Sequence, residues 1–293
     1  MQTGAWDYTK QKLKRVPAVI KVYRAFCTAS LRLRGAKMTP FGFKMLAHKS
    51  MQEGHCEPYE TKAFRQLVGN ADVIVNAGAN VGYYVLHALS LGKPVIAFEP
   101  LPWNLALLRR NLHMNHWTDK VEIFPIALGA KESETVIYGW GGTASLVRGW
   151  AGASAKEAHA ISVSSLDLVI GDRLNGKNIL VLVDVEGYEY ELLKGAEKLL
   201  GSQPKPIWMI EIALTRNRST AEEPTNPRFI ETFELFWRNG YEAYGARQGQ
   251  VEQIPQDEIR QQPSVIEAKY GENFMFADRN SEETQRKLLH SWQ

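Results

Sequence analysis

Only two cysteines, Cys27 and Cys56, occur among the 293 residues of this chain. So few exclude a disulfide framework and a cysteine-built metal knuckle, and they make a reducing, cytoplasmic location the expectation. No segment approaches the ~18 uninterrupted apolar residues of a membrane span. The apolar stretch after Lys10, Lys12, Lys14 and Arg15 is broken by Lys21 and Arg24, so it does not read as a signal peptide. Internal repeats and low-complexity tracts are also lacking, and no histidine–cysteine cluster has zinc spacing. The dinucleotide fingerprint G-x-G-x-x-G is missing as well.

What is present begins with an uneven charge. Residues 1–40 carry Lys10, Lys12, Lys14, Arg15, Lys21, Arg24, Arg32, Arg34 and Lys37 against Asp7 alone, in a chain whose net charge is +3. The remainder is therefore net acidic. Residues 17–34 read as a helix, with Pro17 in its first turn and Gly35 beyond its end. Val16, Ile20, Tyr23, Cys27 and Leu31 give it one apolar face, and much of the rest is basic. Such a helix either packs on the main domain with a solvated outer face or meets a surface of anionic lipid or phosphate, a peripheral membrane contact. Nucleic acid is disfavoured, because no recognised nucleic-acid motif accompanies the charge.

From Asp72 onward, apolar strands alternate with helices. Strands are expected at 73–76, 95–98, 121–124, 179–183 and 207–212, with short late ones at 241–244 and 273–277. Helices are expected at 59–68, 81–91, 103–115 and 188–200. A further helix starts near Asn226 and Pro227, with Phe229, Phe233, Phe236 and Trp237 as its buried stripe. Residues 139–152 are rich in glycine and small polar residues, as in a mobile loop over a site. Continuous apolar strands between helices indicate a doubly wound α/β fold, with a mostly parallel sheet covered on both faces. The expected organisation is a basic helical extension over 1–70, the α/β domain over 71–280 and a tail over 281–293.

The strand at 73–76 runs into Asn76-Ala77-Gly78-Ala79-Asn80-Val81-Gly82, and the next strand stops on Glu99. The glycine spacing is G-x-x-x-G, and the amide of Asn80 sits where a pyrophosphate needs bare backbone. That disfavours NAD and FAD and suits S-adenosylmethionine, which has no phosphate and ends in an amino acid. Glu99 lies where a carboxylate accepts from ribose hydroxyls. Taken singly, Gly78 and Gly82 also fit a tight turn with close helix packing, and Glu99 fits an acid favoured by a helix dipole.

Here the sequence resembles the FkbM-type methyltransferases. The resemblance rests on Asn76 to Tyr84, Ala97-Phe98-Glu99-Pro100, Asn111, Asn115, Ala127-Leu128-Gly129, Ser165-Leu166-Asp167 and, most specifically, Asp184-Val185-Glu186-Gly187-Tyr188-Glu189. The lead-in Gly54-His55-Cys56-Glu57-Pro58-Tyr59-Glu60 is similar too. The resemblance implies a class I, Rossmann-like methyltransferase fold with a seven-stranded sheet. It also implies S-adenosylmethionine held by Asn76, Gly78, Asn80, Gly82, Glu99 and Ala127, and methylation of a hydroxyl on a saccharide, glycolipid or secondary metabolite. One departure stands out: the family usually has Asp at position 76. Losing that charge weakens a charge-assisted contact by ~1–2 kcal/mol, which also fits a weakened or non-catalytic relative.

Asp184 closes an unbroken apolar strand, placing a carboxylate at the edge of the sheet where α/β folds bind ligands. Methyl transfer to an alcohol needs a base for the hydroxyl proton, and Asp184 is the candidate. Alternatively, Asp184 and Glu186 hold a divalent ion that acidifies the alcohol. Glu186 and Glu189 also fit simple complements to the following helix dipole. Glu211, at the end of the next strand, either orients substrate hydroxyls or is a plain strand-end acid. Thr143, Ser145 and His55 are weaker candidates.

Overall fold

A computed structural model describes residues 35–150, 157–215, 225–247 and 250–290. The basic helix expected at 17–34 lies outside the described residues. Among those described, no helix is long and apolar enough to cross a membrane.

A small hairpin of β1 (Lys37–Met38) and β2 (Lys44–Met45) leads in. The α/β body then runs β3 (Val73–Ala77), β4 (Val95–Phe98), β5 (Val121–Phe124), the short β6 (Ala127–Leu128), β7 (Ser133–Tyr138) and β8 (Ala158–Ser164). It continues through β9 (Ile179–Val183), β10 (Ile207–Glu211), β11 (Tyr241–Arg247), β12 (Gln250–Gln253) and β13 (Asn273–Asp278). The central sheet has the order β12-β11-β13-β10-β9-β3-β4-β5. The five strands from β10 to β5 pair in parallel, whereas β13 is antiparallel to both β10 and β11. The sheet therefore holds eight strands, not the seven expected. The extra edge strand, β12, is the return arm of a hairpin with β11, and its mostly polar residues gave no apolar run to read. From β3 the chain steps outward to β4 and β5, then returns to β9 on the other side. The carboxyl ends of β3 and β9 thus flank the switch point at which such sheets bind ligands.

Because β3 and β9 are buried on both faces, their side chains feed two cores by strict alternation. Val73, Val75, Ala77, Val181 and Val183 join Leu192, Leu193, Phe229, Phe233 and Phe236 on one side. Ile74, Leu180 and Leu182 join Phe64, Leu67, Val85, Leu108 and Leu112 on the other. The helix Pro58–Asn70 starts with Pro at its first turn and buries Thr61, Phe64 and Val68 along one face. Phe64 packs edge-on against Tyr84 of helix Tyr83–Ser90, their ring centroids 4.9 Å apart.

Three motif residues quoted for the family resemblance hold the fold together. Asn111 accepts from Leu46 N at 2.7 Å and donates to Val81 O at 2.9 Å, and Asn115 brackets the backbone of Lys44. They fasten the lead-in to helix Pro102–Met114. Asp167 accepts from Lys198 N and Leu199 N, so its carboxylate caps helix Glu197–Gly201.

Two expected segments differ. The single helix at 188–200 is two, Glu189–Lys194 and Glu197–Gly201. Between them Gly195 passes so close to Gly129 that a Cβ would lie 2.0 Å from its carbonyl oxygen. The tail expected at 281–293 is helical over Glu282–His290, because Leu288 is buried in the core. A separate three-stranded sheet, order β6-β8-β7, was not expected at all.

His87 is fully buried among the rings of Phe41, Phe43 and Tyr83, with centroids 4.4 to 5.0 Å away. Arg65 donates to its Nδ1 at 3.0 Å. Burial first, and Arg65 second, lower its pKa to about 3. The folded state thus refuses a proton that the unfolded chain accepts below about pH 6.5, so this residue removes stability as pH falls from there towards 3. Replacing His87 with Phe is expected to shrink the stability lost between pH 7 and pH 5 by about 1–2 kcal/mol, as measured by urea unfolding. The raised acids described below act oppositely in both proteins and cancel in the difference. Parallel pH profiles for the two proteins would sink this assignment.

Candidate active site

The turn after β3 is fixed by the strand beside it. Gly78 N and Ala79 N donate to Phe98 O at 3.0 and 2.9 Å, and Asp184 N donates to Ala77 O at 3.0 Å. Gly78 has φ +82°, and a Cβ there would sit 1.8 Å from the carbonyl oxygen of Asp184. No other residue type fits where β3 and β9 converge. Asn80 follows with φ +50°, a left-handed conformation that Asn tolerates.

Glu99 is 4% exposed and anchored at both oxygens. Oε2 accepts from Asn80 N at 2.8 Å; Oε1 accepts from Leu101 N at 2.8 Å and Asn104 Nδ2 at 3.2 Å. A carboxylate offers about four lone-pair sites, so room remains for a further donor. Burial raises its pKa, and those three hydrogen bonds work in the opposite direction. It lines a cleft with Gly78, Asn80, Phe98, Ala127 and Leu128. The glycine-rich segment lies across this cleft: Gly141, Gly142, Ala144 and Leu146 line it, and Gly141 O accepts from Asn104 Nδ2 at 3.4 Å.

A second, larger cavity of about 370 Å³ adjoins the cleft. Gly78, Asn80, Gly142, Asp184 and Glu186 border both spaces. Asn76, 2% exposed, lines the larger one with Glu211, Asn273, Tyr83 and Tyr84. Oδ1 of Asp184 is buried and has no hydrogen-bond partner. Burial and then the neighbouring carboxylates, Glu186 foremost, hold Asp184 well above the usual carboxylate range. Burial and then Asp184 raise Glu211 likewise. Glu186, with φ +54°, accepts from Trp150 Nε1 at 2.6 Å, and its carbonyl accepts from Ser145 Oγ at 2.5 Å. Trp150 and Ser145 thereby tie the glycine-rich segment to the acidic motif.

The sequence candidates therefore divide. Asn76, Gly78, Asn80, Glu99, Ala127, Asp184, Glu186 and Glu211 come together around the two connected spaces. Gly82 lines neither: it starts helix Tyr83–Ser90 with φ +94°, and a Cβ there would meet Leu108 Cδ1 at 2.5 Å, so its role is packing. Glu189 is buried, with its pKa raised to about 7 chiefly by burial, and accepts from Gly187 N at 2.8 Å as a local brace. Thr143 borders the larger cavity, and His55 borders neither. Among the described residues, no group of three or more His, Cys, Asp or Glu is arranged to hold a metal ion.

Sequence reasoning missed Glu57 and Glu60, which line the larger cavity from the start of helix Pro58–Asn70. Glu57 Oε2 accepts from Tyr84 Oη at 2.5 Å. Burial raises Glu60, a backbone hydrogen bond lowers it, and Glu57 adds to the rise. Their only signal was the lead-in that resembles the family.

An α/β sheet, parallel over five strands and covered on both faces, with an acid-lined crevice at its switch point, defines a protein of the doubly wound class. The model of the methyltransferase FkbM domain matches residues 76–243, and the chain belongs to that family. The chain is similar to the crystal structure of methyltransferase FkbM from Methylobacillus flagellatus, at 17% identity and a TM-score of 0.45. That match covers 78% of this chain and 55% of the other, so this chain spans about half the length of that relative. An O-methyltransferase from Bacillus cereus in complex with SAH has 14% identity and a TM-score of 0.43, over 78% and 83% of the two chains. The O-methyltransferase TomG from Streptomyces achromogenes, in complex with SAM, has 12% identity and a TM-score of 0.40, over 75% and 76%. No curated protein matches the chain.

Proposed function

We propose that the chain is an S-adenosylmethionine-dependent O-methyltransferase acting on a hydroxyl of a small-molecule, saccharide or lipid-linked acceptor. The observation that carries this reading is the buried, unpartnered Oδ1 of Asp184 on the rim shared by the two spaces. The donor set suits the cofactor. Glu99 offers a carboxylate to ribose hydroxyls, Ala127 and Leu128 give the cleft an apolar wall, and the Gly78 turn leaves no side chain in the way. Asn76 and Asn80 would hold its amino-acid end.

When bound, S-adenosylmethionine supplies an activated methyl group on a sulfonium that leaves as a neutral thioether. The chain's own task is then to align the acceptor oxygen and remove its proton. Asp184 Oδ1 takes that proton as the new carbon–oxygen bond forms and the carbon–sulfur bond breaks. Its raised pKa makes it a stronger base once ionised, and a sulfonium nearby favours the ionised form.

The test is titration of the full chain with S-adenosylhomocysteine and, in parallel, NAD. Micromolar to millimolar binding of the first and none of the second is expected. Glu99→Gln is expected to weaken binding about tenfold, because a ribose hydroxyl then meets an uncharged acceptor. NAD binding, or no binding of S-adenosylhomocysteine, would overturn the cofactor assignment.

A further inference from the structure

The larger cavity holds far more acid than a single proton acceptor requires. Glu57, Glu60, Asp184, Glu186 and Glu211 line it, and no Lys, Arg or His does so among the described residues. Asp184 and Glu186 also border the cofactor cleft, whereas Glu57, Glu60 and Glu211 border the larger cavity alone. S-adenosylmethionine carries an ammonium, a sulfonium and a carboxylate, a net charge of one, and so has no need of three further acids that border the larger cavity alone. Two buried polar groups facing this space have no protein partner. Asn76 is 2% exposed and makes no side-chain hydrogen bond with any described residue. Oδ1 of Asp184 is the second. A buried polar atom left unpaired, as Oδ1 of Asp184 is, carries a cost that a ligand with a donor removes.

We propose that the acceptor carries a protonated amine beside the hydroxyl to be methylated, and that Glu57, Glu60 and Glu211 receive the ammonium while Asp184 faces the hydroxyl. This inference rests on the methyltransferase reading above. An ammonium has three donors and no need of a tight ligand sphere, so it suits carboxylates spread over several elements. A divalent ion needs converging ligands, and the described residues do not group that way. Tyr83 and Tyr84 add aromatic faces to the same wall, and these attract cations. Burial and then Asp184 raise Glu211 to about 10, so binding of the amine there is accompanied by proton release.

The experiment uses a small-molecule extract of the producing cell, separated at pH 7 on a cation exchanger into retained and unretained fractions. Each fraction is incubated with the full chain and methyl-labelled S-adenosylmethionine, with and without chelator. A portion of the retained fraction is first N-acetylated with an amine-selective reagent. Label is expected in the retained fraction, unaffected by chelator, and reduced at least tenfold by acetylation. Glu60→Gln and Glu211→Gln are each expected to raise the half-saturating amount of acceptor at least tenfold, while affinity for S-adenosylhomocysteine stays within about twofold. Label confined to the unretained fraction, or indifferent to acetylation, overturns the proposal. So does a variant that loses S-adenosylhomocysteine binding and keeps its acceptor dependence, because those carboxylates would then serve the cofactor's ammonium. If S-adenosylhomocysteine binds but no fraction takes label, the methyltransferase reading itself fails.

Discussion

Asp184→Asn is expected to lower methyl transfer by ~10²–10⁴-fold, the range ascribed to a positioned general base, while affinity for S-adenosylhomocysteine changes little. The substitution keeps the size of the side chain and its place on the rim of both spaces. It removes the ability to accept a proton from an alcohol. Asp184 makes no side-chain hydrogen bond that the amide would break, since Oδ1 is without a partner. The fold is therefore not expected to suffer. Methyl transfer with labelled donor, read beside thermal unfolding, separates these effects. Turnover within tenfold of the parent protein would show that Asp184 is not the base. A fall in rate matched by an equal fall in S-adenosylhomocysteine affinity would make it a binding residue.

The raised pKa of Asp184 also gives the unmodified protein a pH signature. The carboxyl group must be ionised to act, and burial with neighbouring carboxylates opposes that. Rate should therefore rise with pH along an acid limb lying above the ordinary carboxylate range. Cofactor binding pulls the limb down, because a cation nearby favours the charged form.

The parts of the fold legible in the sequence were those in which one local signal sufficed. β4 and β9 lie where their apolar runs placed them, because strands buried on both faces leave no polar residue to blur their ends. The stripe Phe229, Phe233, Phe236 and Trp237 is buried for the matching reason in a helix. Illegible elements were set by distant partners. Nothing local in β7 distinguishes a strand laid over a cleft from a polar loop, and five of its six residues are exposed or half-buried. Gly195 breaks a helical pattern only because Gly129 lies against it. The same division holds in the candidate site. Gly78 and Glu99 were readable from spacing along one βαβ unit. Gly82 shared that spacing and turned out to pack against Leu108, since a glycine pattern does not say which glycine faces a ligand and which faces a helix. Glu57 and Glu60 meet Asp184 across the cavity although more than 120 positions separate them. No periodicity within either segment carries that information.

Gly78→Ala is expected to destabilise the protein by about 3–5 kcal/mol, lowering the thermal midpoint by roughly 10 °C, and to abolish S-adenosylhomocysteine binding. Two costs combine there. The φ of +82° is one that a side chain rarely adopts, and the added methyl carbon would stand 1.8 Å from Asp184 O and 2.8 Å from its carbonyl carbon. Neither atom belongs to a flexible side chain, so β3 and β9 must separate, breaking the bond from Asp184 N to Ala77 O. Gly92→Ala provides the internal control. Its φ is +76°, nearly the same, but nothing lies within 4 Å of the added carbon. That variant is expected to lose only the conformational cost, about 1 kcal/mol, and to bind normally. The difference between the two isolates the close approach of backbone to backbone at the site. If Gly78→Ala proves as mild as Gly92→Ala, the turn has slack, and Asp184 is not held in place by its neighbour. If Gly78→Ala loses stability but still binds, the glycine serves the sheet alone. Loss of both together is the expected result, because one contact sets the spacing of the two strands and the position of the carboxylate between them.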